Sequence, residues 1–458
     1  MPWPDSTMTD DQGRRDAAGT QKRSSPMHSL LRGGRVAAVA LGVLIAPVAG
    51  VAQQPVRSVT LEEAIRMSLD RDPAAVAAEE RIETARADQL EARGALLPSV
   101  SLNSSYANSS NQRFDQSTGQ LVSESYAAQA QASYELFGGG RRLAQLRRTG
   151  AELEAADAAY RAQRFQTVLA TTEAYYTAAA AAELVRSAAQ RLERARQQLA
   201  FAQTRLDVGT ATRSDVLRAE LEVGRAELAL VEAESGERNA RLRLGRQIGV
   251  QGEVEPAVET LPEAAPPRPA LEELVAEAVS RSPNVLAAQA DRERARAARL
   301  ATYTAYIPTV RATAGYDWFA FRFPPNERSW SLRVTASVPV FNGFQREAAV
   351  SRAAAAERLA QVRAQDAELA ARVAVEAAAR QIDAAERRVA IARRGIELAR
   401  EDLRVQEERY QIGNATILDL QASQVALTEA EIEWVSARQE LGISVARLEA
   451  VLGRRLEP

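Results

Sequence analysis

Residues Leu61 to Tyr106 align without a gap on Leu271 to Tyr316, and this internal repeat constrains the fold more than any other feature. "LEEAIRMSLDRDPAAVAAEERIETARADQLEARGALLPSV" matches "LEELVAEAVSRSPNVLAAQADRERARAARLATYTAYIPTV" at both prolines, Pro73 with Pro283 and Pro98 with Pro308. Further on, "LFGGGRR" from Leu136 matches "VFNGFQR" from Val340, and one register then runs to two glycine turns, "RLDVGTATRSDVL" and "RYQIGNATILDL". The expected layout is an N-terminal extension and signal peptide over 1–52, a first repeat over 57–250, a Pro-rich linker over 251–270, a second repeat over 271–452 and a short tail over 453–458. Each repeat reads helix, strand, loop, strand, helix, turn, helix.

The helices are long and mutually seamed. Val185, Ala188, Leu192, Ala195, Leu199, Ala202 and Leu206 recur in steps of three and four. Val389, Ala392, Ile396, Ala399, Leu403, Gln406 and Tyr410 repeat the pattern in the second copy. Small residues alternate with large ones, as in a coiled-coil seam. A helix over about 141–207 spans roughly 100 Å, and its flanking helices of about 35 residues roughly 50 Å each. Two short helices laid end to end therefore match one long one, which predicts an elongated bundle or tube.

The strands alternate on two faces. Tyr126, Ala128, Ala130, Ala132, Tyr134 and Leu136 oppose Gln129, Gln131, Ser133 and Glu135. Val310, Ala312, Ala314, Tyr316 and Trp318 oppose Arg311, Thr313 and Asp317, and Trp330, Leu332, Val334, Ala336, Val338 and Val340 oppose Ser329, Ser331, Arg333 and Thr335. Segments of about ten residues, apolar on one face and polar on the other, are the pattern of outer-membrane strands. Tyr126, Trp318, Trp330, Leu332 and Val334 are expected to face lipid. Four strands cannot close a barrel, and open edges are not tolerated in lipid, so several chains are required.

"MHSLLRGGRVAAVALGVLIAPVAGVAQQ" reads as a secretory signal starting from Met27, with Arg32 and Arg35 before the apolar run Val36 to Ile45 and a small-residue cleavage site near Ala52. Cleavage leaves no His, Lys or Cys, because His28 and Lys22 are the only such residues and Cys is absent. The usual general base, Schiff-base amine and thiol nucleophile are thereby removed. No G-x-S-x-G elbow, H-E-x-x-H pair or phosphate loop is present, so a carboxylate- or Ser-based secreted enzyme is disfavoured and no cofactor is expected. A net charge of −2 argues against nucleic acid as a partner.

With these features in order and twice over, the chain resembles the TolC family of outer-membrane efflux and secretion channels across residues 57–452. The resemblance implies a mixed fold of α-helix and transmembrane β-strand. It implies a homotrimer in which four strands per chain build a twelve-stranded barrel in the outer membrane, continued by a long periplasmic α-helical barrel. It further implies a passive duct working with a periplasmic membrane-fusion adaptor and, through it, an inner-membrane pump; the family's cargoes include drugs, metal ions and polypeptides. Val208, Gly209 and Thr210, with Ile412, Gly413 and Asn414, match the family's adaptor-docking tips.

Asp215 and Asp419 follow the tips, where they either serve as local helix caps or form part of the periplasmic entrance gate. Ala415 and Ala422 stand where the best-known member carries Arg and Asp, so Arg213, Arg409 and Tyr410 become the candidate gate partners. The competing reading is a periplasmic coiled-coil scaffold or adaptor without a pore. The strand alternation discriminates, since a scaffold has no use for a lipid-ready face from Trp330 to Val340.

Overall fold

The computed structural model describes residues 57–115, 118–257 and 261–456. The expected signal peptide lies outside the described residues. The first repeat runs β1 (Arg57–Val59), α1 (Leu61–Arg71), α2 (Pro73–Gly94), β2 (Ser99–Asp115), β3 (Gln120–Phe137), α3 (Arg141–Asp207) and α4 (Arg213–Gln247). After β4 (Val254–Pro256), the second runs α5 (Leu271–Arg281), α6 (Pro283–Thr302), a 3-10 turn at Tyr303–Tyr306, β5 (Thr309–Ala320), β6 (Glu327–Ser337), α7 (Gln345–Gln411) and α8 (Ile417–Leu452).

The long helices α3 and α7 have 67 residues each, so each extends about 100 Å. Along one flank α3 packs against α2 and then α4; along the other it packs against α6 and α8, whose far side is covered by α7. The short helices therefore stack end to end beside the long ones, as their lengths require. Leu192, Ala195 and Ala202 are buried on the α3 seam, and Val389, Ala392, Ile396, Leu403 and Tyr410 on the α7 seam. The largest core cluster joins Leu274, Val285, Val375, Ile382, Leu441 and Leu448. Each such side chain contributes about 1.5–3 kcal/mol by leaving water.

Three expectations need correction. The first helix of each repeat is two helices, broken before Pro73 and Pro283. Proline lacks an N–H and pushes the residue before it out of the helical region. Asp72 accordingly sits at ψ 124° and accepts a hydrogen bond from the Ala75 N–H. The same carboxylate accepts from the Thr167 hydroxyl at 3.0 Å, which fixes the break against α3. Second, the linker contains β4, which pairs in parallel with β1 through Arg57 and Val254. Further along it, the buried Arg438 donates to the Leu261 carbonyl and pairs with Glu183 at 3.1 Å. Third, the strands of the first hairpin have 17 and 18 residues, against 12 and 11 in the second. β6 ends at Ser337, so Val338 and Val340 fall beyond it, where Pro339 has no N–H for a ladder.

The four long strands form one sheet in the order β2-β3-β5-β6, leaving β2 and β6 as its edges. Antiparallel pairing places Tyr106 opposite Tyr126, Ala128 opposite Trp318, and Tyr316 opposite Trp330. Directly opposed residues share a face, so Val100, Leu102, Tyr106, Tyr126, Tyr316, Trp318, Trp330, Leu332 and Val334 line up on one side. Ser99, Ser133, Gln129, Asp317, Thr313 and Arg333 fall on the other. A bulge after Glu135 sets Phe137 rather than Leu136 opposite Val310. No described helix is long and apolar enough to cross a membrane.

Candidate functional site

The two glycine turns are the same structure twice. Where α3 ends, the Gly209 N–H donates to the Leu206 carbonyl at 3.0 Å and the Thr210 N–H to the Arg205 carbonyl at 2.8 Å. At the end of α7, Gly413 donates to Tyr410 at 3.2 Å and Asn414 to Arg409 at 2.8 Å. This paired closure satisfies the last helix carbonyls and needs a left-handed residue between them. Gly209 and Gly413 supply it at φ 75° and 82°. Beside them Val208 and Ile412 are 69% and 72% exposed, apolar side chains presented to the outside at the far end of each helical hairpin.

The returning helices are capped identically. Thr212 Oγ1 accepts from the Asp215 N–H, while the Asp215 carboxylate accepts from the Thr212 N–H at 2.9 Å and its hydroxyl at 2.8 Å. Thr416 and Asp419 repeat this at the same distances. The backbone and side-chain hydrogen bonds from Thr212 hold the Asp215 carboxyl below its ordinary value, helped by Arg218 and Arg205. Thr416 does the same for Asp419, helped by Arg409. Both Asp residues are thus helix caps.

The turns are joined by a residue absent from the expected set. Arg205 Nη1 donates to the Tyr410 carbonyl at 2.8 Å, and Nη2 to Thr210 at 3.3 Å. Its guanidinium carbon lies 5.0 Å from the Tyr410 ring centre and 6.0 Å from that of Phe201. Tyr410 is buried with Ala202, Ala219, Leu403, Ile417 and Leu420, and burial pushes its phenol pKa up. Arg409, the counterpart of Arg205, is exposed and reaches only its own turn, at the Asn414 carbonyl. Arg213 is exposed at the start of α4. Of the expected gate residues, the structure brings Tyr410 to the junction of the turns and leaves Arg213 and Arg409 outside it. The repeat alignment, which sets Arg205 against Arg409, was the available signal for the missed residue.

At the other end, the expected lipid-facing residues share the apolar face of the sheet. Trp330, Leu332 and Val334 are exposed on β6, while Tyr126 and Trp318 are half-buried within the sheet. Tyr126 stacks on Tyr106 with ring centres 5.1 Å apart.

A duplicated chain that joins such a four-stranded sheet to 67-residue helices has the architecture of an outer-membrane channel subunit. The model of the outer membrane efflux protein family matches residues 64–250 and 274–454, and the chain belongs to that family. It is 29% identical over 395 residues to protein CyaE of Bordetella pertussis, spanning 85% of this chain and 81% of the relative. A membrane protein from Pseudomonas aeruginosa superimposes with a TM-score of 0.73 at 22% identity, over 86% of this chain and 93% of that one. The outer membrane protein VceC from Vibrio cholerae does so with a TM-score of 0.71 at 18% identity, over 87% and 97%. The protein is an outer-membrane channel of the efflux and secretion type, with its helical part extending into the periplasm.

Proposed function

We propose that the chain assembles as a homotrimer whose pooled strands close one barrel, and that it passively conducts cargo delivered by a periplasmic adaptor and an inner-membrane pump. The carrying observation is that, among the described residues, both edges of the sheet are unpaired and both flanks of the helical layer carry exposed apolar side chains. The sheet ends on β2 and β6, and the helical layer ends on α2 with α4 at one side and on α7 at the other. Leu217, Leu221 and Leu228 stand exposed on α4, and Leu369, Val373 and Ile391 on α7. Two unlike edges on one subunit make a head-to-tail contact, which closes into a ring where the rotation between neighbours closes.

In this reading the apolar sheet face, with Tyr126, Trp318, Trp330, Leu332 and Val334, contacts lipid. The tips Val208–Thr210 and Ile412–Asn414 receive the adaptor. Arg205 and Tyr410, beside Asp215 and Asp419, hold the periplasmic entrance narrow. Native mass of the detergent-extracted outer-membrane fraction, together with planar-bilayer conductance, tests the proposal. A trimer that forms channels is expected. A soluble periplasmic species without conductance overturns it in favour of a scaffold.

A further inference from the structure

The two hairpins carry the same register at equivalent positions. Val100 pairs with Ala132 and Tyr106 with Tyr126 in the first; Val310 pairs with Ala336 and Tyr316 with Trp330 in the second. The repeat is therefore a geometric operation as well as a sequence one. Within the chain it joins the hairpins along β3 and β5, where Ala130 stands opposite Tyr316 and Ala132 opposite Ala314.

The same operation carried one step further specifies a contact that a single chain cannot make. The counterparts of Ala130 and Ala132 are Val334 and Ala336 on the open edge β6. The counterparts of Tyr316 and Ala314 are Tyr106 and Ser104 on the open edge β2. We propose that β6 of one copy pairs antiparallel with β2 of the next in the register that sets Val334 opposite Tyr106. The proposal rests on the homotrimer reading and adds the residue-level seam to it. The register keeps apolar residues of both strands on one face, whereas a one-residue slip would put Val334 against a polar-face position.

An independent observation at the strand-to-helix joint points the same way. A Cβ on Gly139 would overlap the Ile307 side chain, so the joint of the first repeat needs glycine to seat on the second. Its counterpart Gly343, at φ +65°, faces open space in the single chain. The counterpart of Ile307 is Leu97, which is 69% exposed. Seating Gly343 of one copy on Leu97 of the next accounts for both. Phe344, held at φ 63° where the first repeat has Gly140, stands exposed beside this joint with Phe341. A non-glycine residue kept in that conformation marks a place where surrounding contacts dictate the backbone.

The chain contains no Cys, so introduced thiols have no native background. The test places Tyr106→Cys and Val334→Cys together in the full chain and treats outer membranes with a short bifunctional thiol reagent. Directly opposed side chains lie about 5 Å apart, so linked dimers and trimers are expected on denaturing gels. The twin pair Ala130→Cys with Tyr316→Cys should close within one chain and stay monomeric. Leu102→Cys with Val334→Cys, displaced along the strand, should link several-fold less. Stronger linking of the displaced pair overturns the register. So does the absence of linked chains from the Tyr106→Cys, Val334→Cys variant in membranes where native mass shows assembly and the twin pair closes. A monomeric native mass overturns the register and the trimer together.

Discussion

The guanidinium of Arg205 lies over the neighbouring rings of Tyr410 and Phe201 and donates to the Tyr410 carbonyl at 2.8 Å, tying the end of α3 to the end of α7. That carbonyl already accepts the Gly413 N–H, so one atom serves both the turn and the tie. A charged hydrogen bond contributes about 1.5–3 kcal/mol and a partly exposed cation–π contact about 0.5–1 kcal/mol. Arg205→Met keeps the aliphatic stem and loses both interactions. If the entrance opens by parting of these helix ends, Arg205→Met raises single-channel conductance or open probability. Arg409→Met, which loses only a contact within its own turn, leaves both near wild type. Equal behaviour of the two variants in planar bilayers would sink the role given to Arg205.

The long elements were legible because their ends are written in residues with unambiguous physics. Gly140 and Gly209 bracket α3, and both adopt positive φ. The strands were legible because a two-residue period survives wherever one face is buried or lipid-covered. The break before Pro73 passed unread because the apolar pattern continues through it; proline at the first helical turn starts a helix as readily as it ends one. β1 and β4 span three residues each, too short to display a period. The Arg205–Tyr410 tie joins residues that lie far apart in sequence, and only the packing of α3 beside α8 brings them together. The capping role of the Asp residues was written in the T-x-x-D spacing, although a place beside an entrance is set by assembly.

The caps give the tips an acid limit. Both Asp carboxyls are held below their ordinary value by hydrogen bonds from their own Thr residues. A depressed acid contributes stability above its unfolded pKa, about 3.9, and loses that contribution as pH falls through the folded value. The tips should therefore be unchanged between about pH 7 and 5 and loosen below about pH 4. Asp215→Asn with Asp419→Asn keeps a side chain able to accept from the backbone and removes the titration. Cleavage at the tips by an acid-active protease, compared between wild type and the double variant, reads this out. Wild type should be the less susceptible near neutral pH and converge on the double variant below about pH 4; parallel rates throughout would refute it.

The sheet makes opposite demands on its two faces. Leu332→Arg or Val334→Arg places a charge on the apolar face and should cost roughly 2–4 kcal/mol at mid-membrane, lowering the yield of assembled channel. Ser331 and Thr335 point to the other face of β6, so Ser331→Arg and Thr335→Arg should assemble normally and shift conductance and ion preference. Trimer yield on semi-native gels and bilayer recordings distinguish the two classes. Equal tolerance at all four positions would mean that the apolar face does not contact lipid.

The glycine turns combine a backbone requirement with open space. Neither tip holds a side chain that would clash with a Cβ at Gly209, and at Gly413 the nearest such atom is an Arg205 guanidinium nitrogen at 3.9 Å. Substitution therefore costs chiefly the positive φ, about 1–2 kcal/mol per residue, small against seams that run the length of α3 and α7. Gly209→Ala and Gly413→Ala incur that strain with almost no added bulk. Gly209→Trp and Gly413→Trp incur the same strain and add a large ring beside the exposed Val208 and Ile412. If a partner hairpin docks here, all four variants assemble at wild-type levels, the Ala variants export nearly normally, and the Trp variants lose most export with the cognate adaptor and pump. Export by the Trp variants at the level of the Ala variants would show that the turns only reverse the chain and that the adaptor binds elsewhere.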